Sequence, residues 1–180
     1  MPWQGEHETA SLGREALVYA DTLYNLARYL TGNATDAEDL VQETYARALA
    51  AAGQFEVGTN LKAWLFRILR NTFLSLARRR RSNPTVGGLD TVNPEMEAPA
   101  LEAWLRDDVE LDRLRKLVAA DIERALMTLS EDARLVILLD LDGLAEAEVA
   151  SVLACPVGTV KSRLARARQA LRRQLQDYAR

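Results

Sequence analysis

Apolar residues along this chain recur three and four positions apart, and the every-second-residue alternation of strands is absent, so the pattern predicts helix almost throughout. Ala16, Tyr19, Ala20, Leu23, Leu26, Ala27 and Leu30 form one stripe, which Thr31-Gly32-Asn33 stops. Thr35 followed by Glu38 has the form of a capping box, and Leu40, Val41, Thr44, Tyr45, Ala48 and Leu49 then share one face. Two glycines mark Gly53–Asn60 as a loop. A third helix turns Leu61, Trp64, Leu65, Ile68, Leu69, Thr72 and Leu76 inward and ends in Arg78-Arg79-Arg80-Arg81.

At Ser82 the pattern stops. The stretch SNPTVGGLDTVNPEMEAPA holds three of the chain's 5 prolines and no basic residue. X-Pro units and paired glycines oppose helix, and too little apolar surface is present to offset the entropy of ordering. Helical periodicity resumes over Leu101–Leu129, as one helix or a broken pair. Glu131–Asp142 follows, between the N-cap Ser130 and the stop Gly143, and then come Ala145–Leu153 and Gly158–Tyr178. The expected fold is all-α: two small helical domains over 9–82 and 101–180, joined by a flexible linker over 83–100, the second a helix-turn-helix.

Composition adds exclusions. With 180 residues, 48% of them hydrophobic and 27% charged, the chain has a globular balance. One cysteine, Cys155, forbids an internal disulfide, and with one histidine, His7, it cannot supply a structural zinc cage. No P-loop or metal-ligand cluster is present, and Glu146 and Glu148, two apart on a helix, point to different faces. The expectation is a protein that is not an enzyme and has no cofactor and no metal. The N-terminus is acidic and polar where a signal peptide is basic and then apolar, and no run approaches the ~18 apolar residues of a span. A cytoplasmic protein without membrane insertion is expected.

The net charge of −3 conceals segregation. Residues 61–83 hold 7 basic and no acidic side chains, and residues 161–180 hold 7 and 1, whereas 84–160 hold 6 and 16. Local field, not the sum, decides whether phosphate is met. A single charge run is ordinarily a solvated face; two runs, each closing a helical pattern, point to nucleic acid.

In the second run a short helix with Val149, Val152 and Leu153 inward is followed by the break Ala154-Cys155-Pro156-Val157 and a longer helix. At 100° per residue, Val160, Leu164, Ala167, Leu171 and Leu175 fall on one stripe and Ser162, Ala165, Arg166, Gln169, Arg172 and Arg173 opposite it, with Lys161 on a flank. An apolar back and a basic front suit a recognition helix in the major groove. They also suit a helix that meets an acidic protein or a membrane surface.

The run Pro156-Val157-Gly158-Thr159-Val160-Lys161-Ser162-Arg163-Leu164 with Arg166-Ala167-Arg168 resembles the promoter-reading domain of bacterial extracytoplasmic-function (ECF) sigma factors of the sigma-70 family. The resemblance implies minus-35 contacts by Thr159, Lys161, Ser162, Ala165 and Arg166, with Arg163 near the DNA backbone. Two departures stand out. Ala154 occupies a turn position where the family often has glycine, and Ala145 stands where a serine or threonine commonly caps the first helix.

On the third helix Lys62, Phe66, Arg70, Phe73 and Ala77 lie along one flank. Rings that stack on unpaired bases, with cations on phosphate, are how single strands are held. Packing of Phe66 and Phe73 on the preceding helices is the competing reading. Residues 14–81 again resemble sigma factors. Asp36 to Thr44 is similar to the helix that grips the clamp helices of RNA polymerase, which implies Asp39, Gln42, Glu43 and Arg47 as the contact strip. Asn60 to Thr72 is similar to the minus-10 element reader, which implies that the Gly53–Asn60 loop and Asn71 capture a flipped base, with Phe55, Thr59, Asn60 and Asn71 as its contacts, beside the minus-10 flank of Lys62, Phe66 and Arg70.

The resemblance therefore implies a transcription initiation factor. Its expected partners are core RNA polymerase (the clamp helices of the beta-prime subunit and the flap of the beta subunit), promoter DNA and an anti-sigma factor. A stand-alone helix-turn-helix regulator that binds an operator as a dimer is the alternative, and a protein whose basic faces meet acidic partners is a third class.

Overall fold

The computed structural model describes residues 11–82 and 109–175, and every regular element among them is helical. The expected linker over 83–100, together with residues 9–10, 101–108 and 176–180 of the expected domains, lies outside the described residues. The chain divides into two compact units.

In the first unit, α1 (residues 11–17) and α2 (Ala20–Thr31) are separate helices. The single stripe predicted from Ala16 to Leu30 is thus broken by a turn at Val18–Tyr19, which leaves Leu17 and Val18 exposed. Tyr45 Oη donates to the Ala16 carbonyl at 2.9 Å and so ties the end of α1 to α3 (Ala34–Ala50). Gly32, at φ 77°, ends α2, where its N–H bonds the Arg28 carbonyl.

The cap of α3 differs from the predicted Thr35/Glu38 box. Asn33 is the N-cap: its Oδ1 accepts from the Asp36 N–H at 2.8 Å and its Nδ2 donates to the Asp36 carboxylate at 2.9 Å. Asparagine one residue past the Gly32 turn satisfies the orphan amide two residues earlier than a Thr35 cap would. A short 3₁₀ turn, Ala52–Gln54, leads into the loop before α4 (Leu61–Ser82). Helix α3 packs on α2 and α4, and α2 also touches α4, around Leu23, Leu26, Leu40, Leu65 and Leu69.

In the second unit, α5 (Val109–Met127) precedes α6 (Glu131–Leu141), whose N-cap is Ser130 as predicted. Arg134 donates to the Leu129 carbonyl at 2.9 Å and the Met127 carbonyl at 3.3 Å, closing off the end of α5. Helices α7 (Glu146–Leu153) and α8 (Val157–Gln174) follow, joined by a three-residue turn, and α8 packs chiefly on α6. The core of this unit is Leu135, Val136, Leu139, Val149, Val160 and Leu164.

Helices α6 and α7 end in the same way. Leu144 N–H bonds the Leu139 carbonyl beyond Gly143, and Cys155 N–H bonds the Ala150 carbonyl beyond Ala154, each with a left-handed residue between. In the first case that residue is glycine at φ 83°; in the second it is Ala154 at φ 51°, where a Cβ is strained.

Candidate nucleic-acid interface

Pro156, extended at φ −62° and ψ 145°, is the N-cap of α8. The helix buries Val160, Leu164 and Ala167 and exposes Lys161, Ser162, Ala165, Arg166, Gln169, Arg172 and Arg173, as the 100° wheel predicts. Leu171 and Leu175 are half-buried. Ser162 Oγ donates to the Thr159 carbonyl at 3.0 Å, and Arg166 Nε donates to the Ser162 carbonyl at 3.2 Å, which lays the arginine stem along the exposed face.

Three cations of α8 meet carboxylates of their own unit. Lys161 Nζ is 3.5 Å from Glu146 at the start of α7. Arg163 is 2.6 Å from Asp132 in the first turn of α6, and Arg168 is 2.7 Å from Asp140 near its end. Arg163, expected near a nucleic-acid backbone, is only 25% exposed and turned toward α6. The two arginine pairs grip α6 at both ends and so brace α8 across it. Among the described residues Arg166, Arg172 and Arg173 make no ion pair, and they are the cations this face leaves open to an outside anion.

At the start of α7, Ala145 lacks a capping side chain, but its N–H donates to the Glu148 carboxylate at 2.7 Å. This is the reciprocal half of a capping box, and it separates the roles of two neighbouring carboxylates: Glu148 caps the helix, whereas Glu146 faces Lys161.

In the first unit the flank predicted to hold single strands is divided. Phe66 is completely buried, so the expectation that its ring stacks on bases is corrected. On the helix wheel it lies about 60° from Leu69, bordering the inward stripe, where a ring of that size gains more from burial than from exposure. Trp64, expected in the core, is instead half-buried and closes on Phe55 in the preceding loop, ring centroids 5.2 Å apart. Phe73 is half-buried and lines a groove with Leu30, Leu40, Leu76 and Ala77. Lys62 Nζ lies 5.7 Å from the Phe66 ring centre, a cation–π contact.

Of the remaining candidates, Phe55, Thr59 and Asn60 belong to the Phe55–Asn60 loop, and the others lie on α3 and along α4. Asn60 Oδ1 accepts from the Ala63 N–H at 3.3 Å, making Asn60 the N-cap of α4. Thr59 Oγ1 donates to the Glu56 carbonyl at 2.7 Å, and Gly58 at φ 95° supplies the left-handed residue of the turn. Asn71 is exposed and Arg70 half-buried further along α4. On α3, Asp39, Gln42 and Glu43 are exposed and Arg47 is half-buried, its Nε 2.7 Å from Glu43.

Asp132, Asp140 and Glu146 were missed as partners of the basic helix because no local spacing announces a pair 28 positions apart, such as Asp140 and Arg168. Among the described residues no group of three or more His, Cys, Asp or Glu could hold a metal ion, and no helix is long and apolar enough to cross a membrane.

Comparison with known proteins joins the two units. The Sigma-70 region 2 family model matches residues 17–83, and the Sigma-70, region 4 model matches residues 119–171. The ECF RNA polymerase sigma factor EcfG of Rhodopseudomonas palustris (strain TIE-1) is 38% identical over 164 residues, covering 91% of this chain and 84% of the relative. SigE of Mycolicibacterium smegmatis, another ECF RNA polymerase sigma factor, is 37% identical over 164 residues; there the match covers 89% of this chain but only 58% of the longer relative. Among solved structures, the sigma factor RpoE in complex with the anti-sigma factor NepR from Bartonella quintana superposes with a TM-score of 0.66. It is 34% identical, over 91% of this chain and 95% of that one. A first unit of α1–α4 followed along the chain by a basic-faced helix-turn-helix, each matched in order to its own region of one family, makes this chain a member of the ECF RNA polymerase sigma factors, which are transcription initiation factors.

Proposed function

We propose that this chain binds core RNA polymerase and directs it to promoters by reading two DNA elements, residues 9–82 serving the minus-10 element and residues 101–180 the minus-35 element, with 83–100 as the linker. One observation carries the reading: Ser162, Ala165, Arg166 and Gln169 form an exposed polar face directly opposite the buried Val160, Leu164 and Ala167. Thr159, Lys161, Ser162, Ala165 and Arg166 supply the minus-35 contacts, Arg166 as the base or phosphate donor and Arg163 as a brace behind them.

For the minus-10 element, Thr59 and Asn60 are exposed polar groups of the loop and Asn71 is an exposed one about three turns along α4, Phe55 and Asn60 hold the loop to α4, and Lys62 and Arg70 face phosphate. Asp39, Gln42, Glu43 and Arg47 form the strip for the clamp helices of the beta-prime subunit, where complementary charge serves orientation and association rate more than affinity. The flap of the beta subunit receives the 101–180 domain. The RpoE relative is bound to an anti-sigma factor, and we extend that mode of control to this chain. All of these partners place its work in the cytoplasm.

Pull-down on core polymerase followed by run-off transcription from a promoter library tests the reading. Capture by the core enzyme and discrete new start sites are expected. Folded protein that neither binds the core nor starts transcription refutes it, and tight operator binding by the purified dimer would restore the stand-alone regulator.

A further inference from the structure

Glu146 presents a carboxylate to the cation best placed to meet DNA at the leading end of α8. Lys161 lies on the first turns of that helix with its side chain 63% exposed, and Glu146 is 44% exposed, at 3.5 Å. This pair differs in kind from the two arginine pairs of the same helix. Arg163–Asp132 and Arg168–Asp140 are closer, at 2.6 and 2.7 Å, and one partner in each is only 25% exposed. A long, wet lysine–carboxylate contact is weak and exchanges readily. Glu146 is also spared a structural duty, because the α7 amide at Ala145 is satisfied by Glu148.

We propose that Glu146 is an internal competitor for Lys161: it holds the lysine back from phosphate when the helix meets DNA without its proper sequence. The inference rests on the proposed minus-35 reading. Non-specific DNA binding depends on phosphate contacts alone. A carboxylate that keeps Lys161 removes one such contact, while the correct element, read also through Ser162 and Arg166, draws Lys161 off Glu146 at the cost of the pair. Glu146 thus lowers binding to the promoter and to other duplexes alike, and in the unrelated duplex it does so by withholding one phosphate contact.

The test uses holoenzyme assembled from the full chain and core polymerase, with a labelled duplex bearing a minus-35 element that wild type selects and an unrelated duplex, titrated across salt. Glu146→Gln is expected to bind the unrelated duplex about two- to fivefold more tightly, the range of an exposed ion pair, and to steepen the log K against log salt slope by about 0.9, one further phosphate contact. The promoter gains at least as much, because the same pair no longer has to be broken there, so selectivity does not fall. Glu131→Gln makes the same change in net charge at a residue with no ion pair among those described, and it should leave slope and selectivity unchanged. In the Lys161→Gln background the Glu146→Gln gain should vanish. The proposal is overturned by an unchanged slope in Glu146→Gln, by a gain that persists without Lys161, or by an equal gain in Glu131→Gln. Wild-type holoenzyme that selects no promoter would sink the parent reading instead, a result visible before any variant is made.

Discussion

The rings of Phe55 and Trp64 lie 5.2 Å apart between centroids and are tilted by 55°, so that an aromatic from the loop after α3 is clasped to the first turn of α4. Such pairs contribute about 0.5–1.5 kcal/mol beyond the area they bury. Phe55→Ala is expected to lower stability by at least that amount and to loosen the loop that carries Thr59. In permanganate footprinting of holoenzyme on promoter DNA, strand opening should suffer more than capture by core polymerase. Equal loss of both would mark the pair as purely structural.

Ala154 pays a steric penalty in its left-handed conformation that Gly143 escapes at the matching end of α6. The strain is about 1–2 kcal/mol for an L-residue, partly offset by the larger entropy glycine loses on folding. Ala154→Gly should therefore raise stability by roughly 0.5–1 kcal/mol, read as a higher urea midpoint at unchanged slope.

Burial, and secondarily the Asp21 carboxylate, push the Tyr45 phenol above its ordinary value. The folded state thus holds the Tyr45 proton more tightly than the unfolded chain, in which it leaves near pH 10. Stability from this group is present below about pH 10 and is lost as pH climbs toward the folded value. Tyr45→Phe also removes the bond to the Ala16 carbonyl, costing about 1 kcal/mol at neutral pH. Thermal melts from pH 8 to 11 should show a shallower alkaline decline in the variant.

Thr72 is fully buried and its hydroxyl has no hydrogen-bond partner among the described residues. A buried, unsatisfied hydroxyl costs roughly 1–3 kcal/mol. Thr72→Val keeps the shape and removes the cost, so a gain of about 1 kcal/mol in chemical denaturation is expected. A loss would show that the hydroxyl finds a partner in solution.

Arg166 is exposed in the middle of the polar face of α8 and is held there by its bond to the Ser162 carbonyl. Arg166→Ala should weaken minus-35 recognition by ~1–3 kcal/mol if the contact is bidentate to a base. Competition binding against single-base variants checks this: loss confined to one position marks a base contact, and uniform loss a phosphate contact.

Helix order and the inward stripe of α8 were legible in the sequence, because each is written in spacings of one to four residues, whereas Ala154 stood out only against the glycine that similar sigma factors often carry there. The start of α3 was not, since Asn33, Thr35 and Asp36 all offer capping chemistry and the preceding Gly32 turn decides which amide is orphaned first. Phe66 and Trp64 exchanged their expected surroundings for a related reason. Both border the inward stripe of α4, and the wheel alone does not say how far around the helix its neighbours reach.

By itself the sequence determined an all-helical chain, its segregated basic faces and the motifs of a sigma factor, since periodicity and local charge are properties of consecutive residues. Only the tertiary structure decided which cations of α8 are already engaged. Asp132, Asp140 and Glu146 reach Arg163, Arg168 and Lys161 because packed helices bring distant segments within 4 Å, and a Coulomb interaction depends on distance in space, not on distance along the chain.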